Sequence, residues 1–193
     1  MKKVIIIGAM LLCGMMTFNY ANAQSLDEMR RQREENRVKK SLKNACDDDD
    51  QYMAELGKAT SATAHGAERQ ALLNAQQLLK MRLEQTVQGV IEDMTHDNQL
   101  ESQEAFDAIT LRKINTGFQS VINKSIGRTI KCYSDSYQNE KGQWYAEYNA
   151  KISIDEFIKE SKATIREDAL LRAKIGMDDF ETRFREHLSN NNN

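Results

Sequence analysis

The sequence predicts an α+β domain in which helices cover one face of a small three-stranded antiparallel sheet. Three observations carry this. Residues 144–152 alternate between apolar and polar with a period of two. Long stretches on either side carry apolar residues at three- and four-residue steps. Proline is absent from all 193 residues, which favours long uninterrupted helices. Strands and helices follow one another without regular alternation, so a parallel doubly wound sheet is not expected.

The chain opens MKKVIIIGAMLLCGMMTFNYANAQS. Lys2 and Lys3 form a basic start, Val4 to Met16 an apolar run, and Ala21-Asn22-Ala23 a small-x-small site. Residues 1–23 therefore read as a secretory signal peptide, cut between Ala23 and Gln24. The apolar run is short for a bilayer span. Lipidation at Cys13 is disfavoured because Leu12 stands where a small residue is wanted. The remainder is expected to be exported to the periplasm or outer envelope, or released.

That remainder suits one domain. Without Lys2 and Lys3 the 27 basic residues fall to 25 against 29 acidic, a net charge of about −4. Such a balance favours neither nucleic acid nor an anionic membrane.

Residues 24–45 are charged, with sparse, off-period apolar positions (Leu26, Met29, Val38, Leu42). They read as a solvated helix or a mobile arm. A docking role for RRQR and RVKK is weakened by Glu34 and Glu35 between them.

The domain is expected over residues 46–188. QYMAELGK (51–58) reads as a strand closed by Gly57, and TSATAH supplies helix caps. A long helix follows, with Ala64, Ala67, Ala71 and Ala75 and then Leu78, Leu79, Val87, Val90, Ile91 and Met94 on its buried side. The alanine stripe would let the helix sit close to a sheet, and the larger residues would fill a wider gap. THDNQLES (95–102) is expected to end it. A second helix carries Phe106, Ile109, Leu111, Ile114, Phe118, Val121 and Ile122 and stops near Gly127.

Residues 130–152 read as a hairpin turning at Asn139-Glu140-Lys141-Gly142. Ile130 and Cys132 are expected on one face of its first strand, with Lys131, Tyr133 and Asp135 on the other. Ser153 and Glu156 form a capping box for the next helix. Asp178 and Glu181 repeat the spacing before FETRFREHL. Residues 189–193, SNNNN, read as a disordered tail.

These segments resemble the lipoprotein-20-like family of exported bacterial envelope proteins. The likeness runs over about residues 46–188: CDDDDQYMAELGKATS, the alanine-stepped helix AHGAERQALLNAQQLL, the hairpin IKCYSDSYQNEKGQWYAEYNAKIS and the ending REDALLRAKIGMDDFETRFREHL. The family often has two glycines before the helix; here Ala59 takes the second place. The resemblance implies an envelope-associated domain with no assigned enzymatic activity, acting as a structural or interaction piece.

With residues 1–23 removed, only Cys46 and Cys132 remain. An even count in an oxidising compartment favours a disulfide. Cys46 precedes the first strand, and if the two strands are neighbours the sulfurs can meet. The rival, a nucleophilic Cys132, needs a base to form thiolate, and no nearby histidine is apparent in the sequence. Asp47 to Asp50 lack the glycine and the spaced glutamate of a calcium loop. They read instead as an acidic rim, a charged lead-in that guards an edge strand, or a counterweight to the basic arm. His65, His96 and His187 show no metal-ligand spacing, and no cofactor motif is present. Tyr133, Tyr137 and Tyr145 could together form a contact patch on the polar face of the sheet. The expectation is a non-catalytic envelope protein that contacts other envelope proteins. The alternatives are a periplasmic small-ligand or metal-binding protein and a thiol- or histidine-dependent hydrolase.

Overall fold

A computed structural model describes residues 28–43, 45–102, 108–175 and 177–190. The expected signal peptide and its Ala23–Gln24 cleavage site lie outside them. The chain divides into two units, the first ending at Ala45 and the second beginning at Cys46. In the first, residues 28–43 form a helix, α1, whose side chains are almost all exposed. Of the two readings of the arm, the solvated helix describes these residues.

The second unit is α+β. Its order is β1 (Tyr52–Ser61), α2 (Ala64–Ser102), α3 (Ala108–Gly127), β2 (Ile130–Gln138), β3 (Trp144–Ser153), α4 (Ile154–Glu167), α5 (Ala169–Lys174) and α6 (Met177–Asn190). The strands form one antiparallel sheet in the order β1-β3-β2. The hairpin turn sits where the sequence places it. Gly142 adopts φ 75°, and the Asn139 carboxamide accepts from the backbone of Lys141 and Gln143, each at 3.0 Å. An asparagine that binds its own turn and a glycine free to take positive φ are what such a reversal requires.

One face of the sheet lies against α2. Thr63 caps this helix, accepting from the Gly66 amide at 3.1 Å. Ala67, Ala71 and Ala75 are fully buried on it, followed by Leu79, Leu83, Val87, Val90, Ile91 and Met94. Leu78, expected in this stripe, is instead 41% exposed, because it lies one residue ahead of the buried Leu79 and so at the margin of the face.

Two boundaries differ from expectation. β1 does not close at Gly57 but runs through it to Ser61. There α2 comes so near that the strand has no room for a side chain. Nor does THDNQLES end α2, which continues to Ser102. Polar residues without proline are compatible with helix, and α6 holds this stretch. Arg183 pairs with Asp97, and His187 Nε2 lies 2.8 Å from Asp93 Oδ2 above Gly89.

α3 buries Ile114, Phe118, Val121 and Ile122; Phe106 lies outside the described residues. Phe118, Phe180, Phe184 and Phe157 stack in sequence at centroid distances of 5.1, 5.7 and 5.0 Å, joining α3, α6 and α4. Ser153 Oγ caps α4 by accepting from the Glu156 amide at 3.3 Å. Asp168 ends α4 and starts the unforeseen α5: its amide donates to Thr164 and its carboxylate accepts from the Leu171 amide. α6 begins at Met177, so Asp178 falls inside the helix rather than capping it. Ser189 and Asn190 belong to α6, and the rest of the expected tail is outside the described residues.

Candidate contact surface

The register decides which side chains leave the core. On β3, Ala146, Ala150 and Ile152 are buried on the α2 side, with Trp144 packed on the Ala67–Ala71–Ala146 cluster. Tyr145, Glu147, Asn149 and Lys151 therefore point to the opposite face. Their partners on β1 are Thr60, Lys58, Leu56 and Ala54. On β2 the register slips between Lys131 and Tyr133, leaving Cys132 as the extra residue of a β-bulge. The expected alternation fails at that point. Ile130, paired with Lys151, faces outward and is 45% exposed. Lys131 turns to the α2 side, its Nζ 5.4 Å from the Tyr148 ring.

Beyond the bulge, Tyr133, Asp135 and Tyr137 all lie on the outer face, opposite Asn149, Glu147 and Tyr145. The three tyrosines thus share a face but do not form one cluster. Tyr137 and Tyr145 are a direct cross-strand pair, ring centroids 5.1 Å apart and planes tilted by 40°. Tyr133 stands apart beside Asn149, with Asp135 between. Tyr137 is 53% exposed. Tyr145 is half-buried and its hydroxyl donates to Glu147 Oε1 at 3.1 Å, while Lys58 Nζ lies 3.3 Å from the same oxygen. Burial pushes the Tyr145 phenol up to about 12, with the Glu147 carboxylate adding to the shift. The resulting row, Lys58–Glu147–Tyr145–Tyr137, is a charged-to-aromatic band across all three strands. Lys58 and Glu147 escaped the sequence reading because strand order, not local pattern, makes them neighbours.

Cys46 and Cys132 are joined by a disulfide, Cα atoms 5.7 Å apart and 86 residues apart in sequence. The strands concerned are not neighbours: β3 lies between β1 and β2. The sulfurs still meet because Cys46 precedes β1 at the same end of the sheet as the start of β2.

The aspartate run behaves as the lead-in to an edge strand. Asp49 Oδ1 accepts from the Gln51 and Tyr52 amides, each at 2.7 Å. Asp48 Oδ1 accepts from the Ala54 amide at 2.5 Å, and Oδ2 pairs with Arg82 at 2.5 Å. Asn74 of α2 donates to the Lys58 carbonyl at 2.8 Å. Three outward-facing peptide groups of β1, the Tyr52 and Ala54 amides and the Lys58 carbonyl, are thus occupied by side chains.

A half-open cleft of about 530 Å³ lies beside this lead-in, lined by Asp48, Tyr52, Met53, Arg82, Arg185 and Leu188 among others. Arg82 also pairs with Glu55 at 3.3 Å, and burial raises the Glu55 carboxyl despite that partner. Arg185 pairs with Asp155 at 2.7 Å and Glu181 at 3.4 Å. Both cations of the cleft are thus matched by carboxylates of the protein. Among the described residues, no group of three or more His, Cys, Asp or Glu is arranged to hold a metal. His65 and His96 are exposed, and His187 pairs with Asp93. No helix among the described residues is long and apolar enough to cross a membrane.

No protein-family model matches the chain, and neither a curated protein nor a solved structure matches it.

Proposed function

We propose that the protein is a non-catalytic component of the bacterial envelope that acts by contacting other envelope proteins through the outer face of its sheet. The observation that carries this reading is the Tyr137–Tyr145 pair, an aromatic surface left outside the core. Tyrosine supplies large contact area at low entropic cost together with a polar tip. Three further features support it: the signal-like start, the disulfide expected of an oxidising compartment, and the resemblance to the lipoprotein-20-like envelope proteins.

The test is a photo-crosslinking side chain placed at position 137 of the full chain and activated in intact bacteria. A discrete adduct that disappears with Tyr145→Ala is the expected result. Equal labelling from Lys113 of α3 would show that the sheet face has no special role.

A further inference from the structure

The two edges of the sheet are treated differently. On β1, Asp48, Asp49 and Asn74 side chains bond to the backbone groups that point away from β3, at Ala54, Tyr52 and Lys58. Outward groups on β1 are thus at even-numbered residues, so its odd-numbered residues bond to β3. By the alternation of an antiparallel ladder, even-numbered residues of β3 bond to β1 and odd-numbered ones to β2. Tyr133, Asp135 and Tyr137 then bond to Asn149, Glu147 and Tyr145, and the peptide groups of Ser134 and Ser136 point out of the sheet. Among the described residues nothing bonds to them; the Ser136 hydroxyl is occupied instead with Glu68 of α2 at 2.9 Å. An open edge presents donors and acceptors in the pattern that an incoming strand matches.

We infer that this edge, from Tyr133 to Gln138, receives the partner as an added β-strand. The inference rests on the interaction reading above and specifies its geometry. The bulge at Cys132 bends the strand and marks where pairing starts. An added strand would place every second residue beside Tyr133, Asp135 and Tyr137, where aromatic or β-branched side chains pair well with the tyrosines and a basic one with the aspartate between them. Its other residues would lie beside Ser134 and Ser136 on the α2 side, where hydroxyl side chains pair across strands. The occupant is therefore an extended segment of another protein that alternates hydroxyl residues with β-branched or aromatic ones and carries one basic residue, in the second series, to stand beside Asp135. A second copy of β2 fits less well in the antiparallel register that sets Tyr133 against Tyr137, because it also sets Asp135 against Asp135, a like-charge pair.

The experiment uses the oxidised protein from Gln24 onward and a short, end-blocked, fluorescein-labelled peptide alternating serine with valine, its central valine replaced by lysine. Binding is followed by anisotropy and amide exchange. Peptide addition should slow exchange at Ser134 and Ser136. Ser134→Pro removes an N–H that lies outside the ladder, so it should weaken binding by about tenfold or more without moving the urea midpoint. Should that variant unfold early, the wild-type exchange pattern decides alone. Absence of binding, protection at Leu56 instead, or full binding by a folded Ser134→Pro protein would overturn the inference. So would protection that rises with protein concentration without peptide, since the occupant is then a second copy. Crosslinking at position 137 that depends on Tyr145 but survives Ser134→Pro would overturn the added strand while leaving the contact-face reading intact.

Discussion

A Cβ built on Gly57 in β1 would lie 2.0 Å from the carbonyl oxygen of Ala71 in α2, and 2.4 Å from the Ala75 nitrogen. Both obstacles are backbone, so neither can yield by a rotamer change. Helix and strand touch here because glycine faces alanine, and the spacing of the whole α2–sheet layer follows from it. Gly57→Ala is expected to destabilise the protein by about 3 kcal/mol, the upper end for overpacking a core. Urea unfolding would show a lower midpoint with an unchanged slope. A loss below about 0.5 kcal/mol, the range of neutral surface changes, would mean that the layer can open without cost.

The Cys46–Cys132 disulfide ties the lead-in of one edge strand to the bulge of the other, across β3. Its closure of an 86-residue separation makes the unfolded chain far less free. Reduction, or Cys46→Ala with Cys132→Ala, should cost about 2–5 kcal/mol. Alkylation under non-reducing, denaturing conditions should modify neither cysteine, and two adducts would remove the staple. After reduction, the Ala54 amide should be among the first to exchange faster, since Asp48 holds it from the segment that the disulfide anchors.

The parts of this fold legible in the sequence are those set by local periodicity and capping. The alternation from Trp144 to Ile152 needs only a two-sided sheet, and Ser153 with Glu156 needs only one helix end. Ala67, Ala71 and Ala75 announce a close approach, although what they approach is not written locally. Gly57 reads as a breaker because the helix that excludes its side chain begins only at Ala64. Cys132 reads as an ordinary strand residue because a bulge has no marker of its own, and that single residue reverses the faces of Ile130 and Lys131. The end of α2 is misread for a related reason: its polar stretch is helical in company with Arg183, which lies 86 residues after its partner Asp97. Of the contact surface, the three tyrosines were visible on one face. The Tyr137–Tyr145 contact, the Lys58–Glu147 pair and the contrast between the two edges all depend on β3 lying in the middle.

Tyr145 gives that surface a spectroscopic handle. Burial chiefly, and then the carboxylate and hydrogen bond of Glu147, raise its phenol to about 12. A folded value above the ordinary 10.0 means that the neutral phenol is favoured by folding, so this contribution is whole below pH 10 and is lost as pH climbs towards 12. Ultraviolet titration of wild type against Tyr145→Phe should show a missing transition in the late alkaline range. Glu147→Gln should bring that transition earlier by removing the adjacent charge. A Tyr145 transition at 10 would mean that the phenol is neither buried nor held against Glu147.

Glu160 in α4 provides an acid-side test of how the helices are tied together. Its Oε1 lies 2.9 Å from Lys124 Nζ and 2.5 Å from Arg128, while Oε2 is buried with no partner among the described residues. Burial pushes the carboxyl up, but the hydrogen bonds from Lys124 and Arg128, with their charges, outweigh it and hold the group below 4.5. A depressed folded value means that stability from this group is complete above the ordinary carboxylate range and disappears as pH falls through the folded one. Glu181 has the same sign, lowered chiefly by its bond from Lys162. Glu55, raised by burial, has the opposite one. The overall acid profile therefore mixes signs, and the useful quantity is the difference between wild type and Glu160→Gln. Both cations are about half exposed, so that difference should be about 1 kcal/mol or less at neutral pH and low salt, and smaller in high salt. Urea titrations at successive pH values should show it shrinking below pH 4.5 and vanishing once Glu160 is protonated. A difference that stays constant with pH would assign the effect to packing at α4 rather than to its charge.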